Sequence, residues 1–255
     1  MAKLAVARGF EVVGIGVGSA GVIGPEGQVI SAADVIKDWG GVNLATIIAQ
    51  ETRLPASAVN DVHAHALGEA WLGASAHAQS SLMVAFGTGV GGSFIVDGAP
   101  QFGAHSLAGH VGHFSSPLAD GLDCTCGGKG HVEMVASGPS VLRRYLAQGG
   151  APATDTRQVA TRAYAGDKLA LEAIEFAGKA AGIALGDLAN ILDPHLIVVS
   201  GGVINLGNDW WRALIEAYEE AALGRAKKTP ITAALLGENT ALLGAASIAP
   251  GFLNR

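Results

Sequence analysis

The chain has 255 residues, with 16 Lys+Arg against 22 Asp+Glu and a net charge of −6. At 49% hydrophobic and 15% charged residues it can bury a sizeable core, which excludes a disordered chain. It has no unbroken apolar run of about 18 residues, against a membrane span, and no basic stripe, against nucleic acid.

Residues 1–10 (MAKLAVARGF) lack the apolar run and cleavage site of an export signal, so the cytoplasm is the expected compartment. Residues 12–17 (VVGIGV) read as a buried strand and 18–27 as a turn-rich loop after it. Helical apolar spacing covers 42–53 and 62–74, the second with Asn60 and Asp61 at its N-cap. Residues 81–86 (SLMVAF) form a short strand that runs into Gly87–Gly92 (GTGVGG), and 93–96 form the next. Residues 101–130 are rich in His, Gly, Asp and Cys without periodicity, and a loop of this length is usually functional or metal-stapled. Helices are expected at 132–148, interrupted early by Gly138 and Pro139, and at 169–192, 209–223 and 240–248. Strands are expected at 196–200 and 231–235. Alternating strands and helices argue an α/β fold, and the composition shift at 76–81 (AHAQSS) is the candidate hinge.

Three clusters carry chemistry. In Gly87-Thr88-Gly89-Val90-Gly91-Gly92, glycines after a strand let backbone N–H groups turn toward a phosphate. A tight hairpin between two strands would use the same residues. Asp61, at a strand-to-helix junction, is either a general base for a hydroxyl or part of a plain N-cap. His113, Cys124, Cys126 and His131 combine two imidazoles with both cysteines of the chain, a donor set that suits tetrahedral zinc. The Cys-x-Cys pair is a poor structural disulfide. His110 stands three residues before His113 and is aimed at the same pocket. His63, His65, His77, His105 and His195 read as surface or helix residues, Glu69 as a solvated face or a cap to a neighbouring loop, and Trp71 as core.

Together these pieces resemble the ROK family of sugar kinases and sugar-responsive repressors, in family order over almost the whole chain. Residues 14–21 (GIGVGSAG) resemble the family's early GxGxxG strand–loop, and Asn60-Asp61 with Ala64, Ala66, Leu67, Gly68 and Glu69 its NDANAAALGE segment. Residues 87–92 resemble GTGVGG, 107–113 (LAGHVGH) resemble xAGEIGH, 124–133 (CTCGGKGHVE) resemble CxCGxxGCxE, and 192–203 (LDPHLIVVSGGV) resemble the late adenosine-side strand and GG turn. The resemblance implies an actin-like (ribonuclease H-like) two-lobed fold. The first lobe is expected over 1–78 plus a C-terminal helix at 238–250, the second over 79–237 with a zinc loop at 105–133.

The resemblance also implies ATP, magnesium and phosphoryl transfer to a hexose 6-hydroxyl. Asp61 would be the catalytic base. Asn60, Asp61, His113 and Glu133 would contact the sugar, Gly87, Thr88 and Gly89 the phosphates, and Gly201 and Gly202 the adenosine. A structural zinc would order the loop that carries His113 and Glu133, and a homodimer is the family assembly. His110 stands where glucose-type members carry Glu, as in bacterial N-acetylmannosamine kinases, so N-acetylmannosamine is the leading substrate ahead of N-acetylglucosamine and glucose. His131 replaces the family's third zinc cysteine. No DxGGT motif occurs in the sequence, so the N-terminal lobe is expected to be incomplete, with sugar binding without turnover as an alternative activity. A repressor would need a DNA-binding segment that these residues do not provide.

Overall fold

The structure is a computed structural model, and it describes residues 7–32 and 36–252. Most of the export-signal reading at residues 1–10 lies outside them. The chain divides into two compact units. Of the described residues, the first holds those up to Gln79, Ser93–Gly109 and those from Ala234 onward; the second holds Ser80–Gly92 and His110–Ala233.

In the first unit, β1 (Ile15–Ser19) and β4 (Ala56–Asn60) pair in parallel, so that Ser19 stands opposite Asn60. The crossover between them carries α1 (Leu44–Thr52). Between β1 and α1 lies a short antiparallel pair, β2 (Val22–Ile23), inside the stretch 18–27 read as loop, and β3 (Val29–Ser31), just beyond it. Ile23, Val29 and Leu44 form a buried cluster there. α2 (Asp61–Leu72) follows β4 directly. It packs closely on α8 (Thr240–Ser247), because a Cβ at Gly244 would stand 1.7 Å from the carbonyl oxygen of Ala64. Residues 93–109, assigned from sequence to the second lobe, cluster with the first unit. They bring the Phe102 ring to 5.2 Å from that of His63 and the Ala108 carbonyl to 3.1 Å from His63 Nε2.

The second unit is built on β5 (Ser80–Phe86), β8 (Leu196–Ser200) and β9 (Ile231–Ala233), parallel neighbours in that order. Leu82, Met83, Val84 and Ile197–Val199 are almost wholly buried, as apolar runs of a parallel sheet require. The glycine turn joins β5 to β6 (Val90–Val96), whose far end pairs antiparallel with the two-residue β7 (Ala99–Pro100). Helices α3 (Glu133–Ala136) and α4 (Gly138–Ala147) are separate, split at Ser137 where the Gly-Pro pair interrupts the pattern. α5 (Thr156–Tyr164), capped by Asp155, had no counterpart in the sequence reading. The long α6 (Lys168–Leu192) packs against α7 (Asn208–Ala221), with Gly178, Gly182 and Gly186 where any Cβ would strike α7. Trp210 of α7 is fully buried, edge-on to Phe86 at 5.8 Å. No helix of the described residues is long and apolar enough to cross a membrane.

Candidate functional site

At the carboxyl ends of β1 and β4, Asn60 makes three hydrogen bonds. Its Oδ1 accepts the N–H of Val62 at 2.9 Å and of His63 at 3.3 Å, and its Nδ2 donates to the Gly21 carbonyl at 3.0 Å. One side chain thus caps α2 and fixes the loop after β1. Asp61, the next residue and the first of the helix, is exposed. Its Oδ1 accepts the N–H of Val62 at 2.9 Å, and among the described residues Oδ2 makes no hydrogen bond. The cap reading holds for Asn60, while Asp61 presents a carboxylate at the positive end of a helix.

Glu69, lower on the same helix, is fully buried. Its carboxylate accepts the backbone N–H groups of Leu235, Leu236 and Ala74 at 3.0, 3.0 and 2.7 Å. Of its two sequence readings, the cap to a neighbouring loop is the one realised. His63 is buried rather than on a surface; a carbonyl only accepts, so its Nε2 carries the proton toward Ala108. Trp71, expected in the core, is 38% exposed, with its ring edge-on to Phe252 at 5.0 Å near the end of the described residues.

In the second unit the four candidate metal ligands come together. One donor atom from each of His113, Cys124, Cys126 and His131 lies within 4.8 Å of all the others. Cys124 Sγ is 3.6 Å from His113 Nδ1, and Cys126 Sγ is 3.2 Å from His131 Nδ1. A tetrahedral zinc with bonds of about 2.0–2.3 Å sets its ligands roughly 3.3–3.8 Å apart, close to these two spacings, so the donor set fits the ion. Burial pushes the Cys124 thiol up, opposed by a hydrogen bond from the Cys126 backbone and reinforced by the Cys126 thiol and Glu133; a bound cation would reverse this. The rings of His110 and His113 are stacked at 6.3 Å, with His110 exposed at the start of the short 3-10 turn Val111–His113.

Glu133, at the first position of α3, reaches two loops. Its Oε1 accepts the Thr125 hydroxyl and its Oε2 accepts the N–H of Val90, each at 3.0 Å. The GTGVGG segment is a tight strand-to-strand turn, as the hairpin reading has it. Gly87 N–H closes on the Gly89 carbonyl at 2.9 Å, and the Gly87 carbonyl accepts the N–H of Gly138 at 2.8 Å. Gly87 and Thr88 also line a cavity of about 620 Å³, together with Gly202, Gly138 and Pro139 of α4, and Thr154–Arg157 at the start of α5. Gly201, which holds that wall, has φ +92°, and a Cβ there would stand 2.2 Å from the Phe86 carbonyl oxygen. The size suits a nucleotide, and the starts of α4 and α5 lie in its wall. The α5 wall escaped the sequence reading; the Asp-Thr cap before a mixed-polarity helix was its one local signal. Thr125 also escaped, since nothing in a Cys-Thr-Cys triplet marks the threonine.

The family model described as the ROK family matches residues 2–251. A glucokinase from Halalkalibacterium halodurans is 31% identical over 251 residues, covering 92% of this chain and 75% of the relative. An N-acetyl-D-glucosamine kinase from Pasteurella multocida is 31% identical over 252 residues, covering 92% and 79%. The crystal structure of a ROK family glucokinase from Streptomyces griseus, in complex with glucose and AMPPNP, superposes with a TM-score of 0.81 at 28% identity, covering 97% of this chain and 86% of that one. The chain belongs to the ROK family, and its α/β architecture is that of the actin-like ROK sugar kinases.

Proposed function

We propose, from its membership of the ROK family, that this chain is an ATP-dependent hexose kinase, and that it phosphorylates the 6-hydroxyl of N-acetylmannosamine. The observation that carries the reading is Asp61, an exposed carboxylate at the first position of a helix whose cap, Asn60, locks the adjoining loop. Asp61 accepts the proton of the sugar hydroxyl as that oxygen attacks the γ-phosphorus of ATP; the bond to the bridging oxygen breaks and ADP leaves. Binding and orientation fall to the other residues. Asn60, His110, His113 and Glu133 hydrogen-bond sugar hydroxyls or the N-acyl group. Gly87, Thr88 and Gly89 receive the phosphates, and Gly201 and Gly202 flank the adenosine in the cavity that Gly202 lines.

The nucleotide is used as its magnesium complex, whose cation neutralises charge on the phosphates. His113, Cys124, Cys126 and His131 hold a structural zinc, which orders the loop carrying His113 and Glu133. With Nδ1 of His113 turned to the metal-binding cysteine, the other ring nitrogen serves the sugar. Glucokinase and N-acetyl-D-glucosamine kinase relatives support the hexose-kinase class. His110 supports the finer choice: an imidazole can donate where a carboxylate only accepts, which changes recognition beside the stacked His113. The proposed compartment is the cytoplasm, and the proposed assembly, on family resemblance, a homodimer.

The test is coupled ADP release with ATP and magnesium against N-acetylmannosamine, N-acetylglucosamine and glucose, with His110→Glu alongside. Preference for N-acetylmannosamine, moved toward glucose by His110→Glu, is expected. Highest kcat/KM on glucose with the unaltered chain would overturn the substrate assignment and leave the hexose-kinase class standing.

A further inference from the structure

The Cys/His loop and the glycine turn are far apart in sequence, yet one carboxylate touches both. Thr125 stands between Cys124 and Cys126, so its backbone is held on both sides by candidate metal ligands. Its hydroxyl donates to Glu133 Oε1 at 3.0 Å. The other oxygen of the same carboxylate accepts the N–H of Val90, the buried residue that leaves the GTGVGG turn. A Cβ at Gly89 would stand 2.6 Å from that oxygen, so the carboxylate occupies the space a side chain there would need. A side chain at Gly89 would therefore push the carboxylate out of this contact.

We infer that Thr125 is a positioning residue: through Glu133 it ties the Cys/His loop to the GTGVGG turn, so that order in the metal loop fixes the turn that receives the nucleotide phosphates. The link consists of two hydrogen bonds to an ionised acceptor, about twice as strong as neutral ones. Glu133 has oxygen lone pairs enough for these two donors and for sugar hydroxyls as well. One exposed hydroxyl contact stabilises a fold little by itself. Here it sets the direction of a carboxylate whose other oxygen satisfies a buried backbone N–H, and leaving such a group without its acceptor is costly. The turn is braced from its other side by the Gly138 N–H on the Gly87 carbonyl, so the Glu133 contact is the brace at its Val90 end.

The inference rests on the hexose-kinase reading for its kinetic consequence and not for its structural one, and the experiment separates the two. Zinc-loaded protein is compared with Thr125→Val and Thr125→Ser by hydrogen exchange at the Val90 amide, by KM for ATP, and by metal content. Thr125→Val is expected to speed exchange at Val90 about fivefold and to raise KM for ATP by a similar factor, with metal content unchanged. Thr125→Ser, which keeps the hydroxyl, restores both. Removing zinc from the unaltered chain with a chelator quickens the same amide. The inference is overturned if Thr125→Val leaves Val90 exchange at the original rate, if Thr125→Ser is as defective as Thr125→Val, or if the valine variant loses its metal in step with the exchange effect. If the unaltered chain forms no ADP with any hexose, the kinase reading fails, and the brace stands or falls on the exchange data alone.

Discussion

The buried carboxylate of Glu69 accepts the backbone N–H of Leu235 at 3.0 Å across 166 positions of sequence. With Leu236 and Ala74 also donating to it, one side chain closes the end of α2 and the approach to α8. It thereby holds in place the helix whose first residue is Asp61. Glu69→Gln keeps the shape but turns an amide NH2 toward backbone donors. It is expected to cost about 3 kcal/mol and to lower Tm by roughly 5–10 °C. Thermal unfolding checks this; a Tm within a degree of the parent would show that the carboxylate is dispensable.

The contact of α2 with α8 depends on a missing side chain. Gly244→Ala places a methyl group 1.7 Å from the Ala64 carbonyl oxygen, and the backbone must shift to admit it. A loss of about 3 kcal/mol or more is expected, whereas Gly40→Ala, with open space around it, is expected to change stability by under about 1 kcal/mol. Denaturant midpoints for the two variants measure the difference, and equal midpoints would contradict the close packing.

The metal set makes its own prediction. The chain is expected to bind one zinc, and Cys126→Ser to weaken that binding at least about tenfold by removing a thiolate ligand. Chelation should leave the sheet of the second unit intact while opening the loop from His113 to His131 to proteases. Elemental analysis with limited proteolysis reads both; a chain that carries no zinc after loading would reject the site.

Burial holds His65 below its ordinary value of 6.5 against the pull of Asp61 and Glu69, and its Nδ1 has no hydrogen-bond partner among the described residues. The unfolded chain therefore protonates this ring at a higher pH than the folded one does. Stability is lost as pH falls through the unfolded value near 6.5 toward the lowered folded one. Between about pH 7.5 and about pH 5, Tm should fall less steeply for His65→Asn than for the parent. Parallel curves would assign the pH dependence to other groups.

What was legible in the sequence follows from how local the signal is. β5 and β8 are continuous apolar runs buried on both faces, and composition alone exposes such strands. The metal set was legible because it holds both cysteines of the chain. α5 was missed because TRQVATRAY buries only Val159 and Ala160, too little for a periodic stripe. Glu69 and Trp71 look ordinary on a helix, and only the segment at Leu235–Leu236, whose N–H groups reach Glu69, shows which of them is inside. The cavity wall beside Gly202 is assembled from several separate segments, which no window of sequence can bring together.

The central claim is that Asp61 takes the proton of the attacking hydroxyl, and Asp61→Asn tests it most directly. The amide keeps the shape and the helix start but is not a base at neutral pH. Sugar-dependent ADP release is expected to fall by about 10²- to 10⁴-fold in kcat, with sugar affinity by calorimetry changed by less than about tenfold. Turnover by Asp61→Asn at the rate of the unaltered chain would contradict the assignment.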